Sequence, residues 1–255
     1  MSGSVADTDG RASRGSTQDR LLLDRYDRWA DHYDVALGQY SKATLAMAVR
    51  LLEPLPRRIL DVACGTGLLT ESLAAAFRRR QNDPAGEPEC RPGSLEVIGI
   101  DVSESMLRKA RERVRSYTSD RVRARFYRGR AEEIPLPDHS MQAIVIANAF
   151  HLIRDPEASL AECRRVLVPG GSLVVIDWCR DFLSMRALAW LLRATQRLQR
   201  RVETSARMLE RIRQAGFTVQ HGFRFRVRPA WGLMAFRALL PTCDTPSWSR
   251  NEPSR

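Results

Sequence analysis

The stretch Arg58-Ile-Leu-Asp-Val-Ala-Cys-Gly-Thr-Gly-Leu-Leu-Thr70 decides the fold of this chain. It begins with the apolar run Ile59–Ala63, which is typical of an inner strand of a parallel sheet. Gly65 and Gly67 follow, and because neither carries a Cβ they let the backbone turn sharply and a ligand come close. Apolar residues then recur at helical spacing: Leu69, Leu73, Ala76 and Phe77. The stretch therefore predicts a strand, a glycine loop and a helix N-terminus, which form a polar cradle at the carboxyl edge of a sheet.

The composition is that of a globular chain with a basic surface. Apolar residues make up 44% of the chain. The chain contains no run of eighteen apolar residues, the length that a membrane-spanning helix needs. The net charge of +11 raises the question of nucleic acid or an anionic membrane as partner. The basic residues are, however, spread among acidic ones along the chain. A solvated basic surface is therefore favoured, and no nucleic-acid partner is expected.

The five cysteines show no C-x-x-C spacing and are odd in number. This pattern is neither that of a zinc site nor that of a disulfide framework. We therefore expect no metal and a reducing compartment. A cytoplasmic location fits this, with a plastid as the alternative if the source is an alga.

The order of segments predicts one α/β domain between two tails. Residues 1–18 have almost nothing to bury and are expected to be a disordered tail. Residues 19–56 carry two helical patterns and are expected to form an N-terminal helical cap. The α/β domain covers 57–241 and includes a loop insertion at 79–94, rich in Arg, Pro and Glu. Residues 242–255 read as a second tail.

Strands alternate with helical patterns through this domain. After the first strand, four more are predicted: Leu95–Asp101, Val122–Arg128, Ala143–Ala147 and Ser172–Asp177. Such alternation predicts a parallel sheet covered by helices on both faces. Two helices, at about 182–200 and 204–215, precede the extended segments 217–227 and 231–239, which a short connection makes antiparallel. The expected architecture is a seven-stranded, mostly parallel sheet with an antiparallel C-terminal hairpin.

The end of the second strand indicates what the cradle holds. Asp101 stands there, and a carboxylate at that edge can accept hydrogen bonds from both hydroxyls of a ribose. Capping of the helix that begins near Ser103 is the alternative role. NAD is disfavoured, because its fingerprint needs Gly or Ala where Thr70 stands. The Gly-x-x-x-x-Gly-Lys-Ser/Thr phosphate loop is absent as well.

Several segments resemble, in order, those of class I S-adenosylmethionine-dependent methyltransferases: Asp61-Val-Ala-Cys-Gly-Thr-Gly67, Gly99-Ile-Asp-Val-Ser-Glu-Ser-Met106, Gly129-Arg-Ala-Glu-Glu-Ile-Pro135, Asn148-Ala-Phe-His151 and Val168-Pro-Gly-Gly171. The likeness covers about 25–240 and is to the type 11 domains of ubiquinone/menaquinone-biosynthesis C-methyltransferases. It implies a Rossmann-like class I methyltransferase fold with S-adenosylmethionine as cofactor. Two further segments, Ile176–Cys179 and Trp231–Met234, resemble cyanobacterial and algal methyltransferase-domain proteins of unassigned substrate.

The resemblance implies roles for residues on the methionine side of the cofactor. The loop Gly65-Thr66-Gly67 would face the methionine part, and Asp61 and Thr70 would shape that loop. Asn148, at the end of the fourth strand, would lie near the methionine or the transferring methyl group.

The nucleoside side follows from the same resemblance. Asp101 would hold the ribose hydroxyls, Val102 and Met106 would flank the adenine, and the backbone at Arg130 and Ala131 would meet the adenine edge. Many relatives have Asp or Asn where Arg130 stands. Because a guanidinium cannot accept a hydrogen bond, either the backbone of Ala131 suffices or adenine recognition is weaker here.

Residues that meet the methyl acceptor are less clearly marked. His151 is the best candidate for a general base, since it follows the fourth strand at the ligand-bearing edge. A partly buried structural histidine is the alternative. Tyr26, Trp29 and Tyr33, with His32 as a further choice, lie in an aromatic N-terminal segment that either packs on the core or closes over the substrate.

The sequence thus predicts an S-adenosylmethionine-dependent methyltransferase for a small, hydrophobic or aromatic acceptor resembling a quinone precursor. An RNA- or protein-directed methyltransferase and a catalytically silent partner protein are the alternatives. The fourth strand ends in Asn148-Ala-Phe-His151 and lacks the Asn/Asp-Pro-Pro-aromatic motif of base-amino methylation. The helix from Phe182 to Gln199 is apolar on one side and rich in arginine on the other, so it either packs on the core or makes a peripheral membrane contact.

Overall fold

The computed structural model describes four stretches of the chain: residues 41–82, 93–194, 202–227 and 231–242. The predicted N-terminal tail, most of the helical cap, the middle of the loop insertion and nearly all of the C-terminal tail lie outside them. The proposed domain boundaries therefore stay predictions. Within the described stretches, no helix is long and apolar enough to cross a membrane.

The described elements alternate between strands and helices. The strands are β1 (Arg58–Val62), β2 (Leu95–Asp101), β3 (Val122–Arg128), β4 (Met141–Ala147), β5 (Leu167–Trp178), β6 (Thr218–Val227) and β7 (Trp231–Leu239). The helices are α1 (residues 41–51), α2 (Leu68–Gln81), α3 (Glu104–Val114), α4 (Pro156–Val166), α5 (Leu183–Ala194) and α6 (Ser205–Gln214).

The strands form a seven-stranded sheet in the order β3-β2-β1-β4-β5-β7-β6. Neighbouring strands from β3 to β5 are parallel, and β7 runs antiparallel to both β5 and β6. The predicted fold class is therefore confirmed. From β1 the chain adds β2 and β3 on one side of β1, and it then crosses to the other side of β1 to form β4. This reversal leaves a crevice beyond the carboxyl ends of β1, β2 and β4, where open α/β sheets bind ligands.

Alternate side chains of the central strands enter different halves of the core. On β4, Ile144 and Ile146 pack into the cluster beneath α4 and α6, whereas Ala143 and Val145 pack with α1 and α2. All four side chains are fully buried. Because both faces are covered by helices, the strand is a nearly continuous apolar run rather than an alternating one.

The structure moves two predicted boundaries. The fifth strand begins at Leu167, five residues before Ser172, and the fourth begins at Met141, two residues before Ala143. Pairing of Met141 with Leu167 starts the strand early, and the pairing register then shifts between Met141 and Ala143. An extended conformation is the one that the residue before Pro169 favours, which is consistent with a strand that already includes Val168.

Candidate cofactor site

The loop after β1 turns through left-handed backbone conformations. Ala63, Gly65 and Gly67 have φ values of 56°, 52° and 78°. A Cβ on Gly65 would meet no heavy atom within 4 Å, whereas one on Gly67 would lie 2.9 Å from the Cβ of Ala110 on α3. Gly65 therefore leaves space on the crevice side, and Gly67 lets the loop pack against the next helix.

Asp101 joins this loop to the end of β2. Its Oδ2 atom accepts a hydrogen bond from the backbone N–H of Gly65 at 2.9 Å, and its Oδ1 atom accepts one from the backbone N–H of Ser103 at 2.9 Å. The cap of α3 is Ser103, whose Oγ accepts from the backbone N–H of Met106. A carboxylate has further lone pairs, so Asp101 can still accept hydrogen bonds from a ligand.

The crevice is lined by residues from four loops and strand ends. Seven of the predicted cofactor residues are among them: Gly65, Asp101, Val102, Met106, Arg130, Ala131 and Asn148. The structure therefore brings together the residues expected on the nucleoside side. It also adds residues to which the sequence had assigned no role: Ala63, Ser103, Gly129, Glu132, Ala147, Ala149, Leu152, Ile153 and Arg154.

The remaining four predicted residues, Asp61, Thr66, Gly67 and Thr70, do not line the crevice. Asp61, Thr66 and Thr70 are buried, and Thr70 Oγ1 donates a hydrogen bond to Asp61 Oδ2 at 3.2 Å. Burial is the main reason that the pKa of Asp61 is raised to about 8; the hydrogen bond from Thr70 opposes this rise and the charge of Asp101 adds to it. The hydrogen bond joins the end of β1 to the first turn of α2 on either side of the loop. The roles expected of these four residues toward the methionine part of the cofactor stay predictions.

Arg130 is engaged by a neighbouring carboxylate. Its Nε atom lies 3.5 Å from Oε2 of Glu132, which also lines the crevice. Oε1 of Glu132 accepts a hydrogen bond from the backbone N–H of Arg154 at 3.1 Å. Glu132 thus supplies, two residues along the chain, an acceptor that Arg130 cannot provide. The segment Gly129-Arg-Ala-Glu132 contained this signal, but only the folded loop places the carboxylate at the crevice.

Asn148 connects the crevice to the N-terminal part of the chain. Its φ is 59°, and its Nδ2 atom donates a hydrogen bond to Oγ1 of Thr44 on α1 at 2.9 Å. Thr44 is fully buried. The helix before the sheet therefore takes part in holding the side chain predicted to lie near the transferring methyl group.

His151 lies behind the crevice and is not among the residues that line it. Its Nδ1 atom is 2.6 Å from Oδ1 of Asp177, and its backbone N–H donates to Oδ2 of the same carboxylate at 2.6 Å. The imidazole stacks on Trp178 with a centroid separation of 4.4 Å, and Trp178 in turn contacts Trp231. His151 is buried, yet it belongs to a short 3-10 turn whose residue Leu152 does line the crevice.

Two predictions concern the methyl acceptor: His151 as general base and the aromatic N-terminal segment as a lid. A catalytic role for His151 stays a prediction. Sequence reasoning missed its partner Asp177, the second-last residue of β5, at the same sheet edge. Tyr26, Trp29 and Tyr33, with His32, lie outside the described residues.

Three features together are typical of one class of protein: this sheet topology, a glycine loop after β1 and an acidic residue at the end of β2. The chain carries a class I S-adenosylmethionine-dependent methyltransferase domain, and S-adenosylmethionine is the cofactor of that class. A family model described as a methyltransferase domain matches residues 59–171. The first residue matched lies in β1 and the last in β5, so the match includes the whole crevice edge from the glycine loop to Asn148.

Two curated relatives and one solved structure illustrate the likeness. The ubiquinone/menaquinone biosynthesis C-methyltransferase UbiE of Methylobacterium nodulans is 36% identical over 159 residues, which is 62% of this chain and 57% of that protein. The demethylmenaquinone methyltransferase of Thermus thermophilus is 37% identical over 127 residues, half of each chain. A crystal structure from Thermotoga maritima, titled an SAM-dependent methyltransferase and possible histamine N-methyltransferase, superimposes with a TM-score of 0.63 at 21% identity, covering 86% of this chain and 99% of that one.

The chain spans about half the length of these curated relatives. The solved structure supports the fold alone.

Proposed function

We propose that this chain transfers a methyl group from S-adenosylmethionine to a small, hydrophobic or aromatic acceptor that resembles a quinone precursor. The observation that carries the proposal is the placement of Asp101 and Gly65 in one hydrogen-bonded unit at the crevice. The two curated relatives are named for methylation in quinone biosynthesis, which supports this acceptor class. A cytoplasmic location belongs to the same proposal.

The crevice fits the cofactor in shape and chemistry. Asp101 offers a carboxylate to the ribose hydroxyls, and Val102 and Met106 offer apolar surface to the adenine. Gly65 leaves room that a side chain would take. When bound, S-adenosylmethionine supplies a sulfonium-activated methyl group. The task of the protein is then mainly to position the acceptor and exclude water.

The aromatic cluster behind the crevice suits a flat acceptor. Trp178 and Trp231 lie at the ends of β5 and β7 nearest the crevice, with ring centroids 5.2 Å apart. Trp178 is buried and neither indole lines the crevice, so we propose that a flat acceptor binds in the crevice in front of this cluster. His151 stacks on Trp178 and is the one ring of these three that can take a proton. None of the three rings lines the crevice, and Leu152 of the same 3-10 turn is the residue that reaches it.

His151 has the hydrogen-bond pattern of a proton acceptor whose orientation is fixed. Asp177 binds Nδ1 and the backbone N–H of the same residue. This pairing selects the tautomer in which Nδ1 carries the proton and Nε2 holds the lone pair. We propose that His151 accepts the proton of the acceptor through Nε2, with Asp177 as its positioning residue.

The alternative of a catalytically silent protein rested on Arg130. Because Glu132 engages the guanidinium and brings its own carboxylate to the crevice, that basis is weakened. An RNA- or protein-directed activity is tested in the same experiment as the main proposal.

The experiment has two arms. Titration calorimetry with S-adenosylmethionine and S-adenosylhomocysteine measures cofactor binding. Transfer of a radiolabelled methyl group is then followed with hydroquinones and phenols, with and without prenyl tails, and separately with transfer RNA and mixed protein. We expect binding heat and labelling of the aromatic compounds. Absence of binding heat would contradict the cofactor assignment, and labelling confined to RNA or protein would contradict the acceptor class.

A further inference from the structure

Helix α5 presents an apolar face to solvent. Leu183, Trp190 and Leu191 are 74%, 71% and 52% exposed. Their spacing of seven and eight residues puts them on one side of the helix, and Arg186 and Ala187 are exposed between them. Single exposed apolar residues are ordinary on protein surfaces, but a continuous stripe that includes a tryptophan marks an interaction site.

The opposite face of the same helix already packs on the core. Met185 and Ala189 are buried in a cluster with Trp178 and Leu233. The helix is thus held in place without its outer face. The exposed residues Leu183, Trp190 and Leu191 therefore lie outside the cluster that packs α5 onto the domain.

Several arginines lie near the N-terminal end of α5. The Arg226 guanidinium lies 4.9 Å from the centroid of the Phe182 ring, just before α5, and Arg224 reaches Asp181 at 3.3 Å. Arg186 stands on the apolar face itself. These arginines outnumber the neighbouring carboxylate, and the whole chain carries a net charge of +11.

We propose that the outer face of α5 binds the surface of an anionic lipid bilayer. Leu183, Trp190 and Leu191 would enter the boundary between headgroups and acyl chains, and Arg186 and Arg226 would meet lipid phosphates. Interfacial helices combine these features: apolar and aromatic residues on one face and basic residues beside it. The surplus of arginine favours an anionic membrane over a second copy of this equally basic chain, because two such faces would repel each other.

The position of this face bears on the crevice. The buried side of α5 contacts Trp178, and Trp178 stacks on His151. A bilayer bound by α5 would therefore be separated by one helix from Trp178 and the other aromatic residues behind the crevice. The membrane inference stands on exposure and charge alone, and it does not require that the proposed methyl transfer be correct.

Co-sedimentation with lipid vesicles tests the inference on the full chain. We expect binding to vesicles containing about a quarter phosphatidylglycerol, little binding to pure phosphatidylcholine, and weakening by salt. Leu183→Ser with Trp190→Ser should reduce the bound fraction roughly tenfold, and Arg186→Gln with Arg226→Gln should reduce it severalfold. Tyr127→Ser is the matched control, since Tyr127 is 42% exposed on β3 at the sheet's opposite end and should leave binding unchanged.

Three outcomes would overturn the inference. They are absence of sedimentation with anionic vesicles, equal loss in the Tyr127→Ser control, and full binding by the Leu183→Ser/Trp190→Ser variant. Light scattering of the free protein adds a check, because a wild-type dimer that this variant converts to a monomer would assign the face to a second copy. Calorimetry with S-adenosylmethionine shows that each variant keeps its crevice, so failure here is distinct from failure of the proposed activity.

Discussion

The imidazole of His151 and the carboxylate of Asp177 are joined by a hydrogen bond of 2.6 Å between Nδ1 and Oδ1. The two residues are 26 positions apart in the chain and are both buried. The pair connects the turn after β4 to the end of β5, at the edge of the sheet where the crevice lies. The pair has one of two roles: His151 exchanges a proton with the methyl acceptor, or the hydrogen bond only holds the two segments together.

If His151 accepts a proton during methyl transfer, His151→Gln should lower kcat by about 10²-fold or more, the usual contribution of a general base. Binding of S-adenosylmethionine should stay within about twofold, because His151 does not line the crevice. The measurement is steady-state turnover of the acceptor found by methyl labelling, across a range of pH. His221→Gln, on the exposed strand β6, is the control. Unchanged turnover with a lower free energy of unfolding would assign His151 a structural role.

Asp101→Asn should weaken binding of S-adenosylmethionine about 10- to 100-fold. The amide keeps one acceptor oxygen and loses the charge and the second oxygen, and hydrogen bonds to charged groups contribute roughly 1.5–3 kcal/mol. Titration calorimetry measures the change. Asp120→Asn, in an exposed turn before β3, should bind like the wild type. Equal affinity of the Asp101→Asn variant would remove Asp101 from the cofactor site.

The two loop glycines should respond differently to alanine. Gly65→Ala should cost about 1 kcal/mol of stability, from its left-handed backbone alone, and should weaken cofactor binding because the methyl group enters the crevice side. Gly67→Ala should cost about 2–4 kcal/mol, since its Cβ would also collide with Ala110. Urea unfolding and calorimetry separate the two effects. Identical losses of stability would contradict the difference in packing.

The pKa of Asp61 makes stability depend on pH. Burial raises this pKa to about 8 from the ordinary value of 3.8, so between these values the native state keeps a proton that the unfolded state has lost. The contribution of Asp61 to the free energy of unfolding is therefore greatest in acid and falls as pH rises toward about 8, by up to about 1.4 kcal/mol per pH unit.

Asp61→Asn cannot ionise, so it should remove this fall. Between about pH 5 and pH 8 the free energy of unfolding should decline less in the variant than in the wild type. Urea titrations at several pH values give the two curves. Asp120→Asn should follow the wild type, and a parallel course of the Asp61→Asn curve would show that Asp61 is ionised throughout.

Local patterns in the sequence determined the fold, and the resemblance of its motifs to those of class I methyltransferases implied the cofactor. The strand, glycine loop and helix around Gly65 are encoded within thirteen consecutive residues, and β2, β3 and β7 have the predicted bounds. Such elements are readable because burial on both faces and helical periodicity leave a signal in neighbouring residues. Asp101 was identified for the same reason, since it directly follows a recognisable buried strand.

Only the tertiary structure decided which side chains meet. Asp177 faces His151, Thr44 holds Asn148, and Glu132 engages Arg130 at the crevice. The first two pairs are separated by 26 and 104 residues, and no local pattern links them. Hydrogen bonds of this kind depend on the order of strands in the sheet and on which loops share an edge. Sequence therefore determined the cradle and its cofactor, and the packing of distant segments decided the polar and aromatic partners behind it.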